Sequence, residues 1–332
     1  MKKLFILLTI VMLSCASVFA NGTSESSSKE DGGLQELNIA YMPNYASVSQ
    51  VIAGMNAGYF EEQGIKVNLL EFSDGPTEIA AMDSGSIDLA YIGPGAHKLS
   101  INGKVKIFAL SQVGDSDAVI GLTSHGVNSL ADLKGKKVGF ASGTSSEAIL
   151  RFSLDKAGLT MDDILALEMD ASGIVSAMTS GALDACAAWS PNTNIIINEM
   201  DGDAWKMSSN NDFLDKTASI ASWIVTNKYA TNNHDTLVRF SKALLKAQDY
   251  RAANIEQTCE WVAKQLGSDY DTIYQQRFDA VWPTSAKISQ DLNDGTIEQL
   301  YQIQKEGFGD AVNQDAKVSD YVLFDVMMEA EK

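Results

Sequence analysis

Five small residues in a row, Ser142-Gly143-Thr144-Ser145-Ser146, follow a run that reads as a strand and open one that reads as a helix. Backbone N–H groups and hydroxyls in such a turn sit at the positive end of a helix dipole, where an anion is stabilised. The same residues also make ordinary helix caps, with Ser or Thr accepting from the first turn. No Gly-Lys-Ser/Thr ending follows, so this is not a nucleotide-phosphate loop. A second turn, Gly93-Pro94-Gly95, either lets backbone approach a guest closely or simply joins strand to helix tightly. Trp189 can stack on or wall in a ligand, and Trp223 serves as a cleft wall or as core. Asn44 and Tyr45 bring polar groups on a loop. Asp74 and Asp170 each precede a helical run, the usual place for a cap, and either could meet an ammonium group.

Other chemistry is missing. Arginine occurs only at 151, 239, 251 and 277, none at an expected strand end, so no guanidinium clamp is supplied there. The histidines, His97, His125 and His234, stand apart. Metalloprotease, thiol-redox, nucleophile-elbow and dinucleotide motifs do not occur. No catalytic residue, metal site or cofactor is expected. Cys186 and Cys259 lie in apolar runs without metal spacing, and read as buried unpaired thiols.

What brings the candidate residues together is a repeat. Ala81-Met82-Asp83-Ser84-Gly85-Ser86-Ile87-Asp88 returns 96 residues later as Ala177-Met178-Thr179-Ser180-Gly181-Ala182-Leu183-Asp184, identical at five of eight positions. In the same register Asp74 falls on Asp170. Two copies of one supersecondary unit imply two similar lobes with a cleft between them. In the first copy, strands are expected at 37–42, 65–72, 88–92 and 104–111, with helices at 47–60 and 77–82. In the second, strands are expected at 119–123, 137–141, 164–169 and 185–189, with helices at 129–133, 145–157 and 174–178. Residues 218–226 read as a strand returning to the first lobe. Helices at 235–253, 255–266, 271–281 and 294–306 are expected to pack around it.

The order is α/β, each lobe a mostly parallel sheet flanked by helices. Ligands of such sheets bind beyond the carboxyl ends of the strands. That rule gathers Asn44, Tyr45, Asp74, Gly93, Pro94, Ser142, Thr144, Ser145, Asp170, Trp189 and Trp223 as candidate ligand-binding residues.

The chain has 332 residues, 45% of them hydrophobic, enough for two lobes. Its net charge of -18 argues against nucleic acid and anionic lipid as partners. Lys2 and Lys3 followed by the apolar run 4–13 read as a signal peptide over residues 1–20. Val18-Phe19-Ala20 suits a signal peptidase, whereas Met12-Leu13-Ser14-Cys15 resembles a lipoprotein box that would acylate Cys15. Either route places the protein outside the cytoplasmic membrane, free in the periplasm or lipid-anchored to the membrane's outer face. Residues 21–34 read as a flexible tether. The first lobe is expected over 35–119 plus 222–332, and the second over 120–221.

Four segments carry a family resemblance: Gly58-Tyr59-Phe60-Glu61-Glu62-Gln63-Gly64-Ile65, Ser84-Gly85-Ser86-Ile87-Asp88-Leu89-Ala90-Tyr91-Ile92-Gly93, Ser129-Leu130-Ala131-Asp132-Leu133-Lys134-Gly135, and Gly181-Ala182-Leu183-Asp184-Ala185-Cys186-Ala187-Ala188-Trp189-Ser190-Pro191. Over residues 36 to 230 the chain resembles bacterial ABC-transporter solute-binding proteins, in the NMT1/THI5-like branch for sulfonates, taurine, nitrate and thiamine-pyrimidine precursors. Where that branch often has Trp-Glu-Pro, this chain has Trp189-Ser190-Pro191. The resemblance implies a two-lobed periplasmic-binding-protein fold, type II-like, with two crossovers and hinge closure on the ligand. It implies a non-enzymatic role: capture of a small anionic or zwitterionic, sulfonate- or taurine-like solute for the transmembrane subunits of an ABC permease. A monomer is expected. The alternatives are binding of a thiamine-pyrimidine precursor, an enzyme of pyrimidine-precursor synthesis on the same scaffold, and a sensor ectodomain.

Overall fold

The structure is a computed structural model and describes residues 33–332. The expected signal peptide, Cys15 and the tether as far as residue 32 lie outside the described residues. From Leu34 onward the chain forms one compact unit built on two sheets.

The first sheet contains β1 (Gln35–Tyr41), β2 (Ile65–Glu71), β3 (Leu89–Ile92), β4 (Val105–Gly114), β10 (Ile220–Thr226) and β11 (Ala280–Val281). Their order is β11-β4-β10-β3-β1-β2. β1 runs parallel to β2 and β3, in register from Gln35 opposite Ile65 to Tyr41 opposite Glu71. The second sheet contains β5 (Asp117–Leu122), β6 (Lys137–Phe140), β7 (Leu165–Glu168), β8 (Ala185–Trp189) and β9 (Ala204–Ser209), in the order β7-β6-β8-β5-β9. Here β6 runs parallel to β7 and β8. Each sheet therefore has a parallel trio to which the strand arriving from a crossover adds antiparallel, β10 in one and β5 in the other, and that strand pairs antiparallel on its far side with β4 or β9. The chain crosses between sheets after β4 and again before β10, giving the two crossovers.

Both faces of each sheet are covered. Side chains alternate across a strand, so Ile39, Leu89 and Trp223 enter one core while Ala40, Ala90 and Ile224 enter the opposite one. In the second sheet Val119 and Ala187 face one core, and Ile120 and Cys186 the other. The tail wraps the first sheet as expected. Helix His234–Ala253 sends Phe240 against Phe60, with centroids 4.8 Å apart, on one face. Helices Ser285–Asn293 and Thr296–Gly307 bury Ile288, Leu292, Ile297 and Tyr301 on the other.

The repeat corresponds to repeated structural roles. Asp74 and Asp170 cap the helices Gly75–Ser84 and Ala171–Thr179, accepting from Thr77 N (2.9 Å) and Gly173 N (2.7 Å). Asp88 and Asp184 each accept from the backbone of the neighbouring strand, Asn38 N and Lys137 N, both at 2.8 Å.

The structure differs from expectation in several elements. The helix expected over 47–60 breaks into Tyr45–Asn56 and Tyr59–Glu62, because Gly58 adopts φ 79°, a left-handed conformation that ends a helix. The helix expected over 271–281 stops at Gln276, and Ala280–Val281 pairs instead with Gly114 and Val113 on the open edge of β4. Strand pairing there overrides a weak local helix preference. Strand β9 and helix Asn192–Glu199 were not expected. Among the described residues no helix is long and apolar enough to cross a membrane. Cys186 and Cys259 are both free and buried, as expected.

Candidate functional site: the cleft between the sheets

The carboxyl ends of β1, β3, β6 and β8 meet around one cavity. It encloses about 660 Å³, open solvent at its mouth included. Seven of the expected residues line it: Asn44, Asp74, Gly93, Pro94, Thr144, Ser145 and Trp189. The helices beginning after Asn44, Asp74 and Thr144 all start at this cavity. First-turn N–H groups have no partner within their helix. In the Tyr45–Asn56 helix, Tyr45 N donates to Gln276 Oε1 (2.9 Å) and Ser47 N to Asn44 Oδ1 (2.9 Å). In the Ser145–Lys156 helix, Ser146 N donates to Thr144 Oγ1 (3.2 Å). Ala46 and Ser145, which line the cavity from opposite lobes, are first-turn residues left to face a guest, as is Gly75 in the third helix.

Four expected residues are not brought to the cavity wall. Tyr45 is fully buried, its ring edge-on to Trp282 at 5.1 Å. Its position one residue past the cap turns it inward, into the core beneath the helix. Trp223 is fully buried too, donating from Nε1 to Gln50 Oε1 at 2.8 Å, because its strand is central in the sheet. Ser142 points to solvent at the outer side of the turn. Asp170 lines a neighbouring groove that shares Asn44 and Trp189 with the cavity.

The lobes touch at the cavity's edge. A Cβ placed on Gly95 would lie 2.0 Å from the Thr144 carbonyl carbon and 2.2 Å from Ser145 N. Gly143, at φ 74°, leaves room for Pro76 across the gap, whose Cγ would stand 3.3 Å from an added Cβ. Lys98 of the first lobe pairs with Glu147 of the second at 3.3 Å, both side chains largely buried. This is a closed arrangement of the two lobes.

Sequence reasoning missed Gln112, Gly114, Ser116, Ser190, Ser219, Gln276 and Asp279, all of which line the cavity. Gln112 and Gly114 end a strand that had been expected, so the strand-end rule reaches them once β4 is extended. Gln276 and Asp279 come from the tail and carry no local signal. Among the described residues, the only ionisable acidic or basic side chains lining the cavity, tyrosine apart, are the carboxyls of Asp74 and Asp279. Burial raises Asp279 to about 6, the Ser190 hydroxyl and Lys206 acting against the shift. Behind Ser145, burial likewise raises Asp117 to about 6; its Oδ2 accepts from Asn210 Nδ2 at 3.0 Å.

Two sheet-based lobes, two crossovers and a cavity at their facing strand ends define the periplasmic-binding-protein architecture. Residues 46–258 match the NMT1/THI5-like family model. The chain belongs to that family. It is 34% identical over 271 residues to a Brucella abortus (strain 2308) protein named "Putative binding protein BAB2_1146", covering 82% of this chain and 80% of that one. It is 21% identical over 225 residues to the taurine-binding periplasmic protein of Escherichia coli (strain K12), covering 66% and 68%. The alkanesulfonate-binding protein SsuA of Xanthomonas axonopodis pv. citri, solved bound to MOPS, superposes with a TM-score of 0.65 at 20% identity, covering 88% of this chain and 99% of that one.

Proposed function

We propose that this protein is the extracytoplasmic solute-binding component of an ABC importer. It captures a small organic solute bearing an acidic group in the cleft, and the closed form docks on the permease. The observation that carries this reading is the convergence of helix N-termini from both lobes on one cavity at the strand ends. An acidic group seated between Ala46 and Ser145 would join the two lobes through N–H donors at positive helix ends. Trp189 walls the cavity beside them. Relatives named for taurine and alkanesulfonate support a sulfonate-like solute. The basic start and apolar run of residues 2–13 support export, with Cys15 as the acylation candidate. The lobes follow the expected bounds, 35–119 plus 222–332 and 120–221, adjusted so that β5 from Asp117 falls in the second lobe and β10 from Ile220 in the first, and the protein works as a monomer.

The test is native mass spectrometry of protein purified from its host. One small molecule per chain, lost in Trp189→Ala, is expected. Catalytic turnover of that molecule on incubation would favour the enzyme alternative. A wild-type chain that carries and binds no small molecule would end the importer reading.

A further inference from the structure

An acidic group alone leaves part of the cavity unexplained. Its wall is also electronegative. Asp279 and Asp74 line it, and Asp117 lies close behind Ser145. Among the described residues no lysine, arginine or histidine lines the cavity to balance them. Lys206, the cation that acts on Asp279, is solvent-exposed and outside the lining. A second observation points the same way. Gln112 lines the cavity, is 3% exposed, and its Oε1 has no hydrogen-bond partner, while its Nε2 donates to Tyr91 Oη. A buried acceptor without a donor is costly. So the site offers an orphan acceptor and carboxylates as well as helix N–H donors.

We propose that the solute presents a positively charged nitrogen to the Asp279 carboxylate, and that Asp279 selects for it. This rests on the reading of the cleft as a solute site and narrows that solute to a zwitterion: an amine joined by a short linker to a sulfonate or carboxylate. A purely anionic solute would bring its charge against Asp279 and Asp74 and leave Gln112 Oε1 unpaired. An amine satisfies both, its N–H groups reaching carboxylate and amide oxygen together.

The groups facing Asp279 are the Ser190 hydroxyl from the second lobe, Asp115 and Asp117 from the crossover, and Lys206. Burial raises Asp117 likewise to about 6. Raising Asp279 to about 6 means that its charge is mostly present at pH 7.5 and roughly one-tenth present at pH 5. Amine affinity is therefore expected to fall roughly tenfold between those pH values.

The experiment uses matched pairs that differ only at the nitrogen: taurine against isethionate, 3-aminopropanesulfonate against 3-hydroxypropanesulfonate, and β-alanine against 3-hydroxypropanoate. Each is titrated calorimetrically into the full chain at pH 7.5 and pH 5. At least one amine should bind, ten or more times tighter than its hydroxy partner. Asp279→Asn should erase that preference and the pH dependence, weakening the amine and, with the repelling charge gone, tightening its hydroxy partner. A hydroxy partner bound as tightly as the amine overturns the inference but leaves solute capture standing. Amine preference that survives intact in Asp279→Asn overturns the role of Asp279. If no pair binds, the zwitterion inference falls, while the importer reading is judged separately by the molecule that the wild type carries from its host.

Discussion

Placing a methyl group on Gly95 tests whether the lobes must touch for the protein to work. In the closed arrangement the new Cβ of Gly95→Ala would lie 2.0 Å from the Thr144 carbonyl carbon, 2.2 Å from Ser145 N and 2.3 Å from Thr144 O. Ordinary contact begins at 3.4 Å, so the lobes must separate by about 1.4 Å at this point. All three clashing atoms are backbone, so no rotamer change relieves them. A gap of that size forfeits much of the local dispersion energy. It also carries the Lys98–Glu147 pair, now at 3.3 Å, beyond ion-pair distance. Overpacking of this kind costs about 1–3 kcal/mol, which corresponds to roughly a 5- to 150-fold loss of solute affinity. The proposed hinge opening separates these atoms in the absence of solute, so unfolding of the solute-free protein should change little. Calorimetric titration with the solute displaced from wild-type protein, beside thermal unfolding without solute, measures both quantities. An unchanged dissociation constant in Gly95→Ala would refute the claim that binding requires this contact.

Trp189→Ala should abolish the thermal stabilisation that the solute gives, whereas Trp223→Phe should preserve it. The second change removes the 2.8 Å bond to Gln50 in a fully buried setting, so chemical denaturation should show a loss of about 2 kcal/mol in stability at unchanged affinity. Asp117→Asn should stabilise the protein in a pH-dependent way. The folded state raises Asp117 from 3.8 to about 6, so its ionisation opposes folding once pH passes that range. The variant should match wild type near pH 4 and gain up to roughly 3 kcal/mol by pH 7.5, measured by denaturation at both values. An equal difference at the two pH values would show that Asp117 is not held up by burial.

The core of each lobe was legible because its strands and helices repeat a local pattern. Ala185–Trp189 and Ile255–Leu266 fall where periodicity puts them, and the duplicated caps Asp74 and Asp170 follow from the 96-residue register. The strand-end rule then found seven of the lining residues, drawn from both lobes. Tyr45 turned inward because sequence places a residue near a strand end without saying which face it takes, and Trp223 took the core alternative because it lies mid-strand in the centre of the sheet. Asp279 was invisible for a different reason. It reaches the cleft only because residues 277–279 turn and Ala280–Val281 adds to the edge of β4, a tertiary event with no periodic signature. The chemistry of the solute followed the same division. The turn at Thr144, proposed to bind an anion, could be read from small residues in a row, but the Asp279 carboxylate in the same cavity could not.

A crystal structure of the protein with the solute it carries from its host tests the central claim most directly. The account places that solute between Ser145 and Trp189 on one lobe and Asn44 and Gly93 on the other, with both lobes in contact at Gly95. Solute density confined to another surface, such as the groove between Pro191 and Phe278, would contradict it.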